Sequence, residues 1–270
     1  MLSEPRTYRY STMRLVLLIL LLLVLGVVPF VILGGVSLQY ALIMFAVLGL
    51  IMLVSIFTLT RSTTISNESI STRSLFGESS LNWSEIDSVS GRGNSLKLHN
   101  RDGDVSVSPS AHLPGYPEVI EMIGTKRPDL FSPAKYNMLS RNWFNSFLAL
   151  SMAALLLGVG VYLYFVTDDS LRSTLFLAFV GLGFIVTVFM TVLYVKLDGS
   201  VLTVRYLLNK IVLNANEVHS IGLNVTQTRT GKSYNIMIAG RNRMIRFSGV
   251  GPNLPVAYLV LKNWHQGHRS

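Results

Sequence analysis

Residues 65–89 read ISNESISTRSLFGESSLNWSEIDSV, and residues 197–221 read LDGSVLTVRYLLNKIVLNANEVHSI. Superposed at an offset of 132, the two stretches need no gap, and Arg73, Leu75, Leu81, Asn82, Glu85 and Ser88 fall on Arg205, Leu207, Leu213, Asn214, Glu217 and Ser220. Ile70, Ile86 and Val89 meet Leu202, Val218 and Ile221. Self-similarity at a fixed spacing is the mark of a duplicated unit. The register also holds across turns: Gly77 falls on Asn209 and Asn67 on Gly199, residue types that tolerate turn conformations. After a longer loop at 222–233 the offset grows to 140, bringing Leu96-Lys97-Leu98 onto Ile236-Met237-Ile238 and Val105-Ser106-Val107 onto Ile245-Arg246-Phe247.

Each copy is preceded by apolar sequence. Of the 270 residues, 50% are hydrophobic and 14% charged, well under the roughly 25% charged residues of a soluble domain. Residues 15–33, 38–59, 144–166 and 174–195 carry no charge. Each run is long enough to cross a ~30 Å hydrocarbon core at 1.5 Å per residue. The sequence therefore predicts four transmembrane helices as two hairpins, at 15–60 and 141–195. Arg14 before the first run also suits a signal peptide, but the run is long and has no small-x-small cleavage site, so an anchor is expected. Arg6, Arg9, Arg14, Arg61, Arg141 and Lys196 flank the spans, against Arg172 alone in the hairpin loops. By the positive-inside bias, the 1–14 segment, both termini and both polar segments are expected on the cytoplasmic side of an inner membrane.

Within each polar segment, short runs of β character alternate with turns. In the first they are Thr63 to Ser66, Ser69 to Leu75, Ser79 to Leu81, Ile86 to Ser90, Ser95 to His99 and Asp104 to Ser108. Asp102-Gly103 and Asp198-Gly199 are hairpin turn signals. Pro117 to Ile123 and Leu254 to Trp264 are the terminal helices, each with proline in its first turn. Six or so antiparallel strands and one helix predict a small bent sandwich or barrel whose open end the helix covers.

The unit resembles the bacterial pleckstrin-homology-like domain of small membrane proteins. The residues that carry the resemblance are Ile70-Ser71-Thr72-Arg73, Gly77, Leu81-Asn82-Trp83-Ser84-Glu85-Ile86 with Val89, Leu96-Lys97-Leu98 and the Asp102-Gly103 turn. The second copy has Ala215 in place of Trp83. The resemblance implies pleckstrin-homology-like domains at 61–133 and 196–270, each following a transmembrane hairpin. It implies a membrane context and no particular activity.

Catalytic, metal and cofactor signals are sparse. Without cysteine there is no thiolate ligand or cysteine nucleophile. Asn82/Glu85 and Asn214/Glu217 have capping-box spacing. Of His99, His112, His219, His265 and His268, the last two alone have ligand-like spacing, with no carboxylate near. Gly91-Arg92-Gly93 lacks the third glycine of a nucleotide loop. No catalytic, cofactor or metal residue is assigned, and a non-enzymatic protein is expected.

Charge is uneven. The formal net charge is +9, of which residues 196–270 carry +8 while residues 61–143 are neutral. Arg229, Lys232, Arg241, Arg243 and Arg246 are the candidate contacts for anionic lipid headgroups or an acidic partner, each cation near such a surface contributing about 1 kcal/mol. Strand alternation predicts Arg241 and Arg243 on one face and Arg246 on the other. Nucleic acid is not expected, for no recognition helix or stacking platform accompanies the charge. The expected function is an interaction, scaffold or assembly module with an unidentified protein partner. The alternative is a small-solute or lipid transporter with a pathway between the hairpins, although the four spans lack the ionisable residues that coupling usually needs. Ala154-x-x-x-Gly158 is the expected small-residue face for helix packing.

Overall fold

The run read at 69–75 becomes a strand over Ser69–Ser74, with Ile70 buried and Thr72 half-buried on one face of a pleated sheet and Arg73 exposed on the other. The computed structural model describes residues 4–11, 38–141, 143–166, 171–228, 231–241 and 243–269, with residues 13, 16, 17, 19, 20 and 24. The chain divides into two compact units, Met1–Val89 with Ser95–Lys126, and Ser90–Asn94 with Arg127–Ser270.

In the first unit β1 (Arg6–Arg9), β2 (Ser62–Ile65), β3 (Ser69–Ser74) and β4 (Gly77–Asn82) form an antiparallel sheet in the order β1-β2-β3-β4. Helix α1 (Leu38–Leu59) leads into β2. A 3-10 turn at Trp83–Glu85 then carries the chain into a three-stranded sheet of β5 (Ile86–Ser90), β6 (Lys97–Asn100) and β7 (Ser106–Val107), followed by α2 (Tyr116–Lys126). The second unit has the same order: β8 (Met138–Ser140), α3 (Trp143–Val166), α4 (Leu171–Met190), then β9 (Val192–Asp198), β10 (Val201–Tyr206) and β11 (Lys210–Asn214) in the sheet β11-β10-β9-β8. After a 3-10 turn at Ala215–Glu217 come β12 (Val218–Thr228), β13 (Gly231–Gly240) and β14 (Met244–Phe247) in a second sheet, and finally α5 (Leu254–Gly267).

The register reproduces the 132-residue spacing. Ile65 pairs with Ile70 and Ile70 with Leu81; Leu197 pairs with Leu202 and Leu202 with Leu213. All six side chains are buried, each contributing about 1.5–3 kcal/mol by leaving water. At the sheet-to-sheet turns, the Glu85 carboxylate accepts from the Asn82 backbone N–H at 3.1 Å, and Glu217 from the Asn214 N–H at 2.8 Å. These are the glutamate halves of the capping boxes.

The expectation of four transmembrane helices as two hairpins is not met. Among the described residues two helical segments are long and apolar enough to cross a membrane, Ser146–Val166 and Leu171–Met190. Most of the 15–33 run lies outside the described residues. In α1 (Leu38–Leu59) the apolar helical stretch found among the described residues is Phe45–Phe57. Nor do the strands of each unit join in the one bent sandwich or barrel expected: among the described residues they form four separate small sheets, the 3-10 turns interrupting the ladder. Each four-stranded sheet also takes in a strand that precedes its apolar sequence, β1 or β8, so β9 and β10 do not stand alone at the start of the 196–270 segment.

Helices α3 and α4 pack through a different face from Ala154-x-x-x-Gly158. Ala154 is exposed and a Cβ on Gly158 would meet nothing within 4 Å. Ala153 and Gly160 are buried instead, and a Cβ on Gly181 would lie 3.1 Å from Leu157 Cγ. The Thr174 hydroxyl donates to the Gly160 carbonyl at 3.1 Å, tying the pair together.

Helix α5 anchors the second unit. Leu254 through Leu261, Trp264 and His265 are buried. Trp264 Nε1–H donates to the Gly199 carbonyl at 2.7 Å, in the β9–β10 turn where Gly199 has φ +54°. Asn253 caps the helix by accepting from the Val256 N–H at 2.8 Å. The Leu254 N–H donates to Gly93 at 2.8 Å, so the Gly91-Arg92-Gly93 turn is a docked element.

Candidate membrane-proximal site

The basic residues of the second unit do not form one patch. Arg229 lies outside the described residues. Lys232 is on β13 opposite Gln227, near the β12–β13 turn. Arg241 and Arg243 belong to the turn at the other end of β13, about 26 Å from Lys232 at 3.3 Å per residue. The alternation expected from Arg241 through Arg246 fails because β14 begins only at Met244. Within β14, Ile245 and Phe247 are buried while Met244 and Arg246 are exposed, and Arg246 pairs with Met237 on the outer face.

The turn bearing Arg241 and Arg243 is pinned by backbone hydrogen bonds, Arg241 N–H to the Glu217 carbonyl at 2.9 Å and Gly240 N–H to the Arg243 carbonyl at 2.8 Å. Both arginines line an open groove of about 610 Å³ with Val212, Leu213 and Glu217. The Glu217 carboxylate is engaged in its cap, and Arg241 and Arg243 are exposed. His265 and His268 do not converge as ligands: His265 Nε2 lies 2.7 Å from the Val218 carbonyl, and His268 Nδ1 2.8 Å from the carbonyl of Trp264.

A second feature went unread in the sequence. Thr191 alone separates α4 from β9, and Tyr206 pairs with Val192 at the start of β9. The β10–β11 turn therefore lies at the helix end of the sheet. Its tip is Leu207-Leu208, 42% and 81% exposed. Arg141, just before α3, donates to the Thr191 hydroxyl, and partial burial lowers its pKa from the ordinary arginine range. Trp143 at the start of α3 is 66% exposed. Tyr206 is half-buried, which raises its phenol pKa. Apolar tip, tryptophan, tyrosine and arginine at one level are the composition of a membrane–water interface.

The first unit repeats the device. Ser62 pairs with Arg73, so the β3–β4 tip, Leu75-Phe76, lies beside the α1–β2 junction. Phe76 is 86% exposed, with its ring centroid 5.3 Å from that of Phe57 in the last turns of α1. The signal in the sequence was Leu75 on Leu207; its meaning needed the register. No family model, no curated protein and no solved structure matches the chain.

Proposed function

We propose that the protein is a non-enzymatic membrane protein in which α3 and α4 cross an inner membrane as a hairpin and hold β-units on the cytoplasmic side, where they act as an interaction or scaffold module for a protein partner. The observation that carries this reading is the apolar tip Leu207-Leu208 beside the α4–β9 junction. A tip so exposed is costly in water and favourable at an acyl boundary, at about 25 cal/mol per Å² of apolar surface buried. Orientation follows the positive-inside bias, with Arg141 before α3 and Lys196 after α4. Arg241 and Arg243 on their pinned turn and Arg246 on the outer face supply cations for anionic headgroups or an acidic partner. The resemblance to pleckstrin-homology-like membrane proteins agrees with a binding role.

The test uses the full chain in vesicles, with Leu208→Cys as the sole thiol and a polarity-sensitive dye attached. The expected result is a blue-shifted emission quenched by brominated lipid. Aqueous emission without quenching contradicts an interfacial tip. Mild-detergent purification is expected to yield a stable complex with a protein partner; solute or lipid movement by reconstituted protein would instead favour a transporter.

A further inference from the structure

Three cross-strand neighbours on the inner face of the first unit's sheet carry hydroxyls. Thr63 pairs with Thr72, and Thr72 with Ser79. They lie two residues along from the buried row Ile65, Ile70 and Leu81, and so on the same face. The corresponding row in the second unit is Val195, Val204 and Ile211, in identical register. Val195 and Val204 are fully buried there. One copy of this sheet thus fills these inward positions with aliphatic side chains, while the other lines them with hydroxyls.

Thr63 is 1% exposed, and its hydroxyl finds no hydrogen-bond partner among the described residues. Such a group is costly unless something satisfies it, and Val195 shows that valine fits the matching position. The hydroxyl row borders a hollow of about 160 Å³, whose walls include Arg61, Arg73 and serines of the β7 region, Ser106 and Ser108. Eight of its eleven lining residues are serine or threonine, two are arginine and none is acidic. The Arg61 guanidinium is held 4.5 Å from the centroid of the Phe57 ring at the end of α1. In the second unit Leu193 stands at the position of Arg61, and Tyr194 and Tyr206 at those of Ser62 and Ser74.

We propose that this hollow is a binding site for a phosphate-bearing anion, with Arg61 and Arg73 supplying charge-assisted hydrogen bonds and Thr63, Thr72 and Ser79 supplying hydroxyl donors from the sheet. Guanidinium groups match phosphate oxygens in geometry and charge. Hydroxyl donors complete the shell without the cost of a further charge. The second unit, with apolar residues along the row, does not bind such an anion at its equivalent position.

The experiment uses the full 270-residue chain in detergent and in nanodiscs. Binding of inorganic phosphate and glycerol 1-phosphate is measured by calorimetry in detergent, and retention of phosphatidic acid over phosphatidylcholine by native mass spectrometry from nanodiscs. A response in the first arm assigns a soluble phosphate, and a response in the second alone assigns a lipid headgroup; either supports the site. Two variants accompany the wild type. Arg61→Gln with Arg73→Gln is expected to weaken binding at least about tenfold. Thr63→Val, which copies the second unit, is expected to raise the thermal midpoint while weakening binding. No phosphate response in either arm overturns the proposal and leaves a solvated gap. Equal binding by wild type and the double arginine variant overturns it as well.

Discussion

Alanine in place of Trp264 is expected to remove about 3–5 kcal/mol from the stability of the second unit, the usual cost of emptying a buried indole site. Trp264 is 1% exposed and lies on a helix buried from Leu254 through Leu261, so removing the indole leaves a cavity in the core of that unit. The same substitution leaves the Gly199 carbonyl without the indole donor now 2.7 Å away. A thermal midpoint lowered by more than about 10 °C is expected, followed by far-ultraviolet circular dichroism of the full chain in detergent. Trp264→Phe separates the two contributions. It keeps most of the volume, loses the hydrogen bond and is expected to cost about 1–3 kcal/mol. A wild-type melting curve for the alanine variant would mean that α5 does not hold the β9–β10 turn.

The second large effect concerns α4. Twelve of its residues are Leu, Ile, Val or Phe, which at −0.3 to −0.6 kcal/mol each give at most about 4–7 kcal/mol toward insertion. One arginine near the centre costs about 2.5–3.5 kcal/mol, so a single substitution lowers the margin without cancelling it. Phe179→Arg combined with Leu182→Arg consumes it. Both side chains are exposed, at 76% and 55%, so packing against α3 is not the variable. Carbonate extraction is expected to leave the wild type in the membrane pellet and to release the double variant. Equal retention of both would mean that α4 does not cross.

Much of the β architecture was legible because it rests on local alternation. The run read at Ser69 to Leu75 is β3, Ser69–Ser74, and the run at Ile86 to Ser90 is β5. The terminal helix read at Leu254 to Trp264 is α5, three residues longer. Strands β1 and β8 were missed because Arg6–Arg9 and Met138–Ser140 are too short to show a period, and each finds its partner only beyond a long apolar stretch. Hydropathy predicted four crossings, whereas two helical segments among the described residues, Ser146–Val166 and Leu171–Met190, are long and apolar enough to cross. The positions of Arg241 and Arg243 were misread for a related reason: alternation was carried through a turn, where it has no force. The hydroxyl row of Thr63, Thr72 and Ser79 was present in the recognised strands. Its significance appears only when register sets those residues side by side and the second unit supplies the aliphatic version of the same row.

In the proposed arrangement α3 and α4 cross a membrane as a hairpin with the second β-unit on the cytoplasmic side. The chain has no cysteine, so single-cysteine labelling reads it without background. Asp169→Cys, between the two helices, is predicted to react with a membrane-impermeant maleimide in intact cells, and Arg243→Cys only after permeabilisation. Labelling of Arg243→Cys in intact cells, or of neither site until the membrane is opened, would contradict the account.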